Sequence, residues 1–349
     1  METENLNTEN ASVEESVAER LAAALCQIKS GLPGLELREN EPMDGHCSFK
    51  AGGSVFAYAA PQDVFSLSKV CSILKDHRLM PFVLGNGTNV VFPDEGCCEL
   101  FVLSTSKLQN MYMLPDGSIY AEAGVPLSRL AAFARDNSLA GLEFASGIPG
   151  TVGGACIMNA GAYGGEIKDV VDSVVCYYLP EQMLYEVKND NCAFGYRTSW
   201  FKTNPGCLVM SAVFRLEAGD KDEISARMKE LNERRRDKQP LDYPSAGSAF
   251  KRPEGHFAAK LIEDAGLKGA SVGGAMVSEK HAGFIINTGS ATSSDIYNLM
   301  MKVRNEVYRS TGIELEPEII LLPPDYKLED HSPPVHKNFS GPPSVGGIG

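Results

Sequence analysis

Apolar positions along the chain recur with two periods. Val17, Leu21, Ala24, Leu25 and Ile28 fall at three- and four-residue intervals, which predicts a helix with one apolar stripe. Asp63 stands just before Val64, Leu67, Val70, Cys71 and Leu74 and can cap a second helix. A strand over Met80–Leu84 follows and runs into a glycine turn. Leu127, Leu130, Ala131 and Ala134 predict a third helix, and the branched and aromatic runs Val171–Leu179 and Cys207–Leu216 predict strands. A charged helix begins near Asp222, with Ile224, Met228 and Leu231 inward, and Pro240 ends it. Two later helices run through Ala258, Leu261 and Ile262, and through Ile296, Leu299, Met300, Val303 and Val307. Gly266 and Gly312 terminate them. The sequence IELEPEIILL, residues 313–322, predicts a closing strand. No internal repeat is present, and the alternation of helices with strands predicts a mixed α/β or α+β protein.

With 349 residues, 43% of them apolar, the chain is long enough for two or three domains. The ends, residues 1–15 and 323–349, are too polar or too rich in Pro, Ser and Gly to pack and read as flexible tails. Against 45 acidic side chains stand 32 basic ones, and a formal charge of -13 disfavours a broad nucleic-acid-binding surface. No apolar run reaches the ~20 residues of a membrane helix, and the N-terminus is polar where a signal peptide is cationic and then apolar. A soluble, cytoplasmic protein is expected. The nine cysteines are odd in number and contain no C-x-x-C pair, so reduced packing residues are expected and a metal site is not.

Five segments carry candidate chemistry. In VLGNGTNVVF a strand enters Gly85, Asn86, Gly87, Thr88 and Asn89, where glycines allow close backbone approach and successive N–H groups can receive phosphate oxygens. The third glycine of G-x-G-x-x-G is absent, and so is a Walker lysine, so an ordinary turn is the competing reading. The segment ASGIPGTVGGACIMNAGAYGGE, residues 145–166, interleaves glycines with Ile148, Pro149, Val152, Ile157 and Met158, which would not stay in water in a linker. A rigid site for a large flat or diphosphate-bearing cofactor is one account, and a tightly wound βα corner is the other. CAFGYRTSW places Arg197 among aromatic and small residues, suited to a substrate carboxylate or merely stacked on a ring. PSAGSAFKRP contains Ser248 without the surroundings of a hydrolase nucleophile. In LEPEI, Glu316 and Glu318 lie two apart, and strand alternation cannot choose between them. Arg234, Arg235, Arg236, Lys238, Lys251 and Arg252 concentrate positive charge, either for a local anion site or as a helix face paired with Glu230 and Glu233.

In this order, HCSFKAGG, GNGTN, GIPGTVGGACIMNAGAYGGE, FGYRTSW, the Lys238 to Ser248 spacing, AGLKG and LEPEI resemble the UDP-N-acetylenolpyruvoylglucosamine reductase family over roughly residues 20–322. The resemblance implies an α+β fold. A two-part FAD-binding region of the vanillyl-alcohol-oxidase type would occupy residues 16–82 and 83–238 with the closing strand 313–322. An α/β substrate-binding domain would occupy 239–312. It further implies non-covalent FAD held by Gly85, Asn86, Gly87, Thr88, Asn89, Gly147, Ile148, Pro149, Gly150, Gly153, Gly154, Asn159, Ala160 and Gly161. NADPH would be the co-substrate, and the enolpyruvyl ether of UDP-N-acetylglucosamine would be reduced to the lactyl ether for peptidoglycan synthesis. Carried over by position, Arg197 is the active-site arginine, Ser248 the proton donor and Glu318 the catalytic carboxylate, with Lys238 and Arg252 toward the substrate. A monomer is expected, with no nucleic-acid or membrane partner. Asn86 and Thr88 replace the usual glycine and serine of the flavin loop, and Ile320 stands where relatives often carry arginine. The short stretch between Trp200 and Arg234 places the chain in the short-loop branch. Another FAD-dependent oxidase or dehydrogenase of the same fold is the alternative.

Overall fold

A computed structural model describes residues 15–204 and 206–323. The predicted tails therefore lie outside the described residues, apart from Glu15 and Pro323. Helix α1, Val17–Gly31, buries Leu21, Ala24, Leu25 and Ile28, and Ser16 and Glu19 close a reciprocal capping box at its start. Asp63 caps α2, Val64–Asp76, by accepting the Ser66 N–H. Both helices share a core with a four-stranded mixed sheet in the order 36–42, 54–60, 97–104, 82–84. Because the strand 97–104 lies between 54–60 and 82–84, this first body runs well past residue 83. The expected division between 82 and 83 cuts through its sheet.

The second body is an antiparallel five-stranded sheet, ordered 183–188, 171–178, 207–214, 119–122, 111–113. It is covered by α3, Leu127–Asp136, α4, Val152–Met158, and the inner face of α6, Lys221–Lys238. Little α5, Trp200–Thr203, closes one end. The third body contains α7, Ala258–Asp264, α8, Ser293–Thr311, and three short antiparallel strands over 271–287. Gly312 ends α8 with φ of 72°, a left-handed conformation that glycine adopts freely.

The third body is tied into the first by specific polar contacts. Asp94 accepts the Ser293 and Ser294 N–H groups at the N-terminus of α8, at 2.7 and 2.9 Å. The Asn287 amide donates to the Phe49 carbonyl, at 2.8 Å. The closing strand is much shorter than its sequence suggests. Ile320–Leu321 pairs parallel to Val90–Val91, Pro317 makes a single antiparallel bridge to Phe250, and the rest of 313–319 is irregular. The bridge is held by Lys251 N–H to the Glu316 carbonyl and Glu318 N–H to the Ala249 carbonyl, so it needs no N–H from Pro317.

Candidate active site

Two glycine turns face each other at the junction of the first two bodies. A Cβ on Gly85 would lie 2.7 Å from Thr151 Oγ1, and one on Gly150 would lie 3.5 Å from Thr88 Oγ1. Gly87 has φ of +59°, and its Cβ would fall 2.0 Å from the His46 carbonyl oxygen, so no other residue fits. The Gly87 carbonyl in turn accepts the Ser48 N–H. In this cradle the hydroxyls of Thr151 and Ser48 are buried without a hydrogen-bond partner among the described residues. Unmatched buried hydroxyls beside close-approaching backbone are what an oxygen-rich group such as a pyrophosphate would satisfy, so the residues present fit FAD. Ser48 and Thr151 were not singled out in sequence. A serine in HCSFK and a threonine among glycines give no sign that their hydroxyls are left unpaired.

The glycines of 147–161 divide by what surrounds them. A Cβ on Gly153 would strike Ala123 and one on Gly161 the Gly165 carbonyl, so those two are required by the protein's own packing, whereas one on Gly147 would meet only the movable side-chain ends of Asn232 and Arg235. Gly150 and Gly154 meet no neighbour closer than 3.5 Å and are open to a ligand. Ile148 and Ala160 pack against the second core. Pro149 lies in the turn before α4. Asn159 differs from expectation. Its φ is 43°, and its side chain is engaged within the protein by Glu166, Gly195 and the Lys168 N–H, which leaves only its backbone for a cofactor. Asn86 is exposed.

Arg197 lies at a hairpin turn in which Gly195 and Thr198 bond reciprocally through their backbones. Its own φ is +55°, uncommon for a residue with a side chain. The Asn159 amide holds the Gly195 carbonyl, and Ser199, which caps α5, donates to the Ile157 carbonyl. From this turn Arg197 Nε approaches Glu318 Oε1 to 2.5 Å, a close ion pair that lacks in-line hydrogen-bond geometry. A long contact of 3.5 Å joins Nη1 to the Gly161 carbonyl.

The irregular backbone resolves the choice between the two glutamates. Glu316 is exposed and paired with Lys251, whereas only 13% of the Glu318 side chain is exposed. Burial pushes the Glu318 carboxyl above the usual carboxylate range, against the opposing pull of Arg197 and, more weakly, Lys202 and Lys251. Its backbone is clamped from two sides: Glu318 N–H donates to the Ala249 carbonyl, at 2.9 Å, and its own carbonyl accepts from the Asn89 amide, at 3.1 Å. Asn89 thus links the first glycine turn to Glu318. Ser248 stands beside Ala249 in a bridge to Phe284, and its hydroxyl makes no bond to any described residue. The structure therefore brings Arg197, Glu318 and the Ser248 segment together at the end of the Gly85–Asn89 turn.

The basic cluster is split. Arg234 pairs with Glu230 and lies over the Tyr163 ring, while Lys229 pairs with Glu233, a solvated helix face. Arg235 is half-buried beside Gly147 and pairs with no carboxylate among the described residues. Lys238 is exposed at the end of α6. The Arg252 guanidinium stacks on Phe257, and the Arg252 N–H donates to the Tyr196 hydroxyl, at 3.0 Å. Lys202, for which the sequence gives no signal, is half-buried against the Arg197 turn. Burial, and then the nearby Lys251 charge, push its ammonium below the usual lysine range. All nine cysteines are free thiols. Among the described residues no group of side chains could hold a metal ion, and no helix is long and apolar enough to cross a membrane.

Comparison with known proteins agrees with this geometry. Residues 56–179 match the family model described as "FAD binding domain". Residues 239–322 match "UDP-N-acetylenolpyruvoylglucosamine reductase, C-terminal domain". The UDP-N-acetylenolpyruvoylglucosamine reductase of Caldanaerobacter subterraneus subsp. tengcongensis is 47% identical over 85% of this chain and 97% of its own. That of Limosilactobacillus reuteri subsp. reuteri is 42% identical over 85% and 99%. The crystal structure of the Thermus caldophilus reductase superimposes with a TM-score of 0.71 at 31% identity, covering 83% of this chain and 99% of that one. With an α+β fold, a two-part FAD-binding region and this C-terminal domain, the chain belongs to the UDP-N-acetylenolpyruvoylglucosamine reductase family.

Proposed function

We propose that this protein reduces the enolpyruvyl ether of UDP-N-acetylglucosamine to the lactyl ether, UDP-N-acetylmuramate, with Arg197, Glu318 and Ser248 acting on the substrate. The observation that carries the reading is the convergence of three distant segments. Arg197 lies 2.5 Å from Glu318, and the Glu318 backbone is bonded to both the Asn89 turn and the Ser248 segment. When bound, FAD supplies the hydride, taken from NADPH and given to the terminal alkene carbon. The Arg197 guanidinium binds the substrate carboxylate and offsets the negative charge that then gathers on the enolate, more directionally than a lysine would. Ser248 donates its hydroxyl proton to the remaining carbon. A serine is a weak acid, competent here because an enolate is strongly basic. Glu318 holds Arg197 in place and polarises the same region. Lys238 and Arg252 serve the diphosphate end of the substrate. Unpaired thiols fit a reducing compartment, and we place the enzyme in the cytoplasm, as a monomer.

The test is anaerobic. The yellow protein is reduced with NADPH, the enolpyruvyl substrate is added, and flavin absorbance is followed. Rapid reoxidation with a lactyl ether product is expected, and reduction that no substrate reverses would sink the reading. Ser248→Ala should slow reoxidation by about 10²- to 10⁴-fold and leave reduction by NADPH unchanged. Ser248→Cys should keep part of the activity, and near-normal turnover of Ser248→Ala would remove the proton-donor role.

A further inference from the structure

Lys202 has no part in the reaction as written, yet it is placed at considerable cost to itself. The side chain is half-buried on α5, no carboxylate pairs with it among the described residues, and its Nζ donates to the backbone carbonyl of Arg197 at 2.9 Å. One carbonyl and the more distant charges of Glu316 and Glu318 compensate a desolvated ammonium only in part, so fold stability alone is a weak reason for the residue. The group it grips explains more. Arg197 is in the left-handed region at φ of +55°, where a side-chain-bearing residue persists only if its surroundings hold it. Asn159 and Ser199 anchor residues on either side of the turn, at the Gly195 carbonyl and at Ile157. Lys202 bonds the Arg197 peptide itself, and that peptide sets the direction in which the guanidinium leaves the backbone.

We propose that Lys202 is a positioning residue for the reduction step: its ammonium fixes the left-handed Arg197 peptide and so aims the guanidinium at Glu318 and at the substrate carboxylate. The inference rests on the assignment of Arg197 given above. Lys202 acts through Arg197, so its contribution should vanish when Arg197 has no side chain to aim.

The test uses the flavin-loaded enzyme with Lys202→Met, Lys202→Arg, Arg197→Ala and the double variant Lys202→Met/Arg197→Ala. In Lys202→Met, reduction by NADPH should stay within about twofold of wild type, while single-turnover reoxidation by substrate falls about 10- to 100-fold. Substrate affinity for the oxidised enzyme, measured by calorimetry without NADPH, should weaken by less than about threefold, because aiming matters most as charge develops. Lys202→Arg, which keeps a charged donor, should restore reoxidation to within about fivefold. In the Arg197→Ala background, adding Lys202→Met should change the rate by less than about twofold. Reoxidation by Lys202→Met at the wild-type rate overturns the inference. So does an equal loss of affinity and rate, or a full loss that persists in the Arg197→Ala background. If Arg197→Ala itself reoxidises normally, the failure belongs to the Arg197 assignment. Should Lys202→Met yield no flavoprotein, Lys202→Leu, which likewise removes the donor, is read by the same criteria.

Discussion

Replacing Glu318 by glutamine separates what this carboxylate does for the reaction from what it does for the fold. The two side chains are nearly the same size, and the glutamine carbonyl can still face Arg197 Nε, so the change is mainly one of charge. Burial raises the Glu318 pKa in the folded protein despite Arg197. The folded state therefore holds the Glu318 proton more tightly than the unfolded chain does. Stability falls as pH rises from the usual carboxylate range, near the unfolded value of 4.5, through the raised folded value, and stays lower above it. Glutamine has no such term. At low pH, wild type and Glu318→Gln should differ by no more than about 1 kcal/mol, the scale of one altered hydrogen bond. With rising pH the variant should gain on wild type. Activity should move the other way: single-turnover reoxidation should fall about 10²- to 10³-fold, the scale of a lost electrostatic group in an active site. Reduction by NADPH should be nearly unchanged. Denaturant titrations of both proteins at several pH values, paired with anaerobic stopped-flow absorbance, measure the two effects. A variant that becomes progressively less stable than wild type as pH rises would refute the reasoning, since the attraction of Arg197 would then outweigh burial.

Other outcomes follow from particular contacts. Gly87→Ala places a methyl 2.0 Å from the His46 carbonyl in a left-handed turn. It should cost roughly 2 kcal/mol or more in urea denaturation and release FAD on gel filtration. Thr151→Val removes a buried hydroxyl that has no partner. The apoprotein should keep or gain about 1 kcal/mol of stability while FAD affinity, by fluorescence titration, weakens about tenfold. Asp94→Asn weakens the acceptor for the Ser293 and Ser294 N–H groups and should cost about 1 kcal/mol at neutral pH, measured by urea denaturation. Burial alone would raise the Asp94 pKa, but the bonds from Ser294 and Ser293 outweigh it and hold the carboxyl below its usual 3.8. That stabilisation is present above the usual range and is lost as pH falls through the lowered folded value, so the gap between Asp94→Asn and wild type should close in acid.

Helices were the most legible part of the fold, because their apolar stripes and their caps are both local. Asp63 and Gly312 mark helix ends as their chemistry predicts. Strand pairing was less legible. Nothing local shows that 97–104 inserts between 54–60 and 82–84, since partner choice depends on chain segments far apart. The family resemblance pointed to Arg197, Ser248 and Glu318, but residue alternation could not separate Glu316 from Glu318, because residues two apart on an extended segment share a face. Nor does glycine content distinguish Gly153, pressed on Ala123, from Gly154, which is open. Lys202 looks in sequence like any surface lysine, and only the turn it grips shows otherwise.

The bond between the Asn89 amide and the Glu318 carbonyl spans a separation of 229 residues. During synthesis the first glycine turn emerges well before its carboxylate partner, which is translated 229 residues later. Until then the short strand Val90–Val91 has no Ile320–Leu321 beside it and exposes an open edge. A nascent chain can thus build most of the cofactor cradle before Glu318 joins it, and fragments ending before residue 318 should bind flavin without passing its electrons to the enolpyruvyl ether. Reduction of the substrate therefore waits on a contact made across 229 residues, whereas the turn that receives it is already in place.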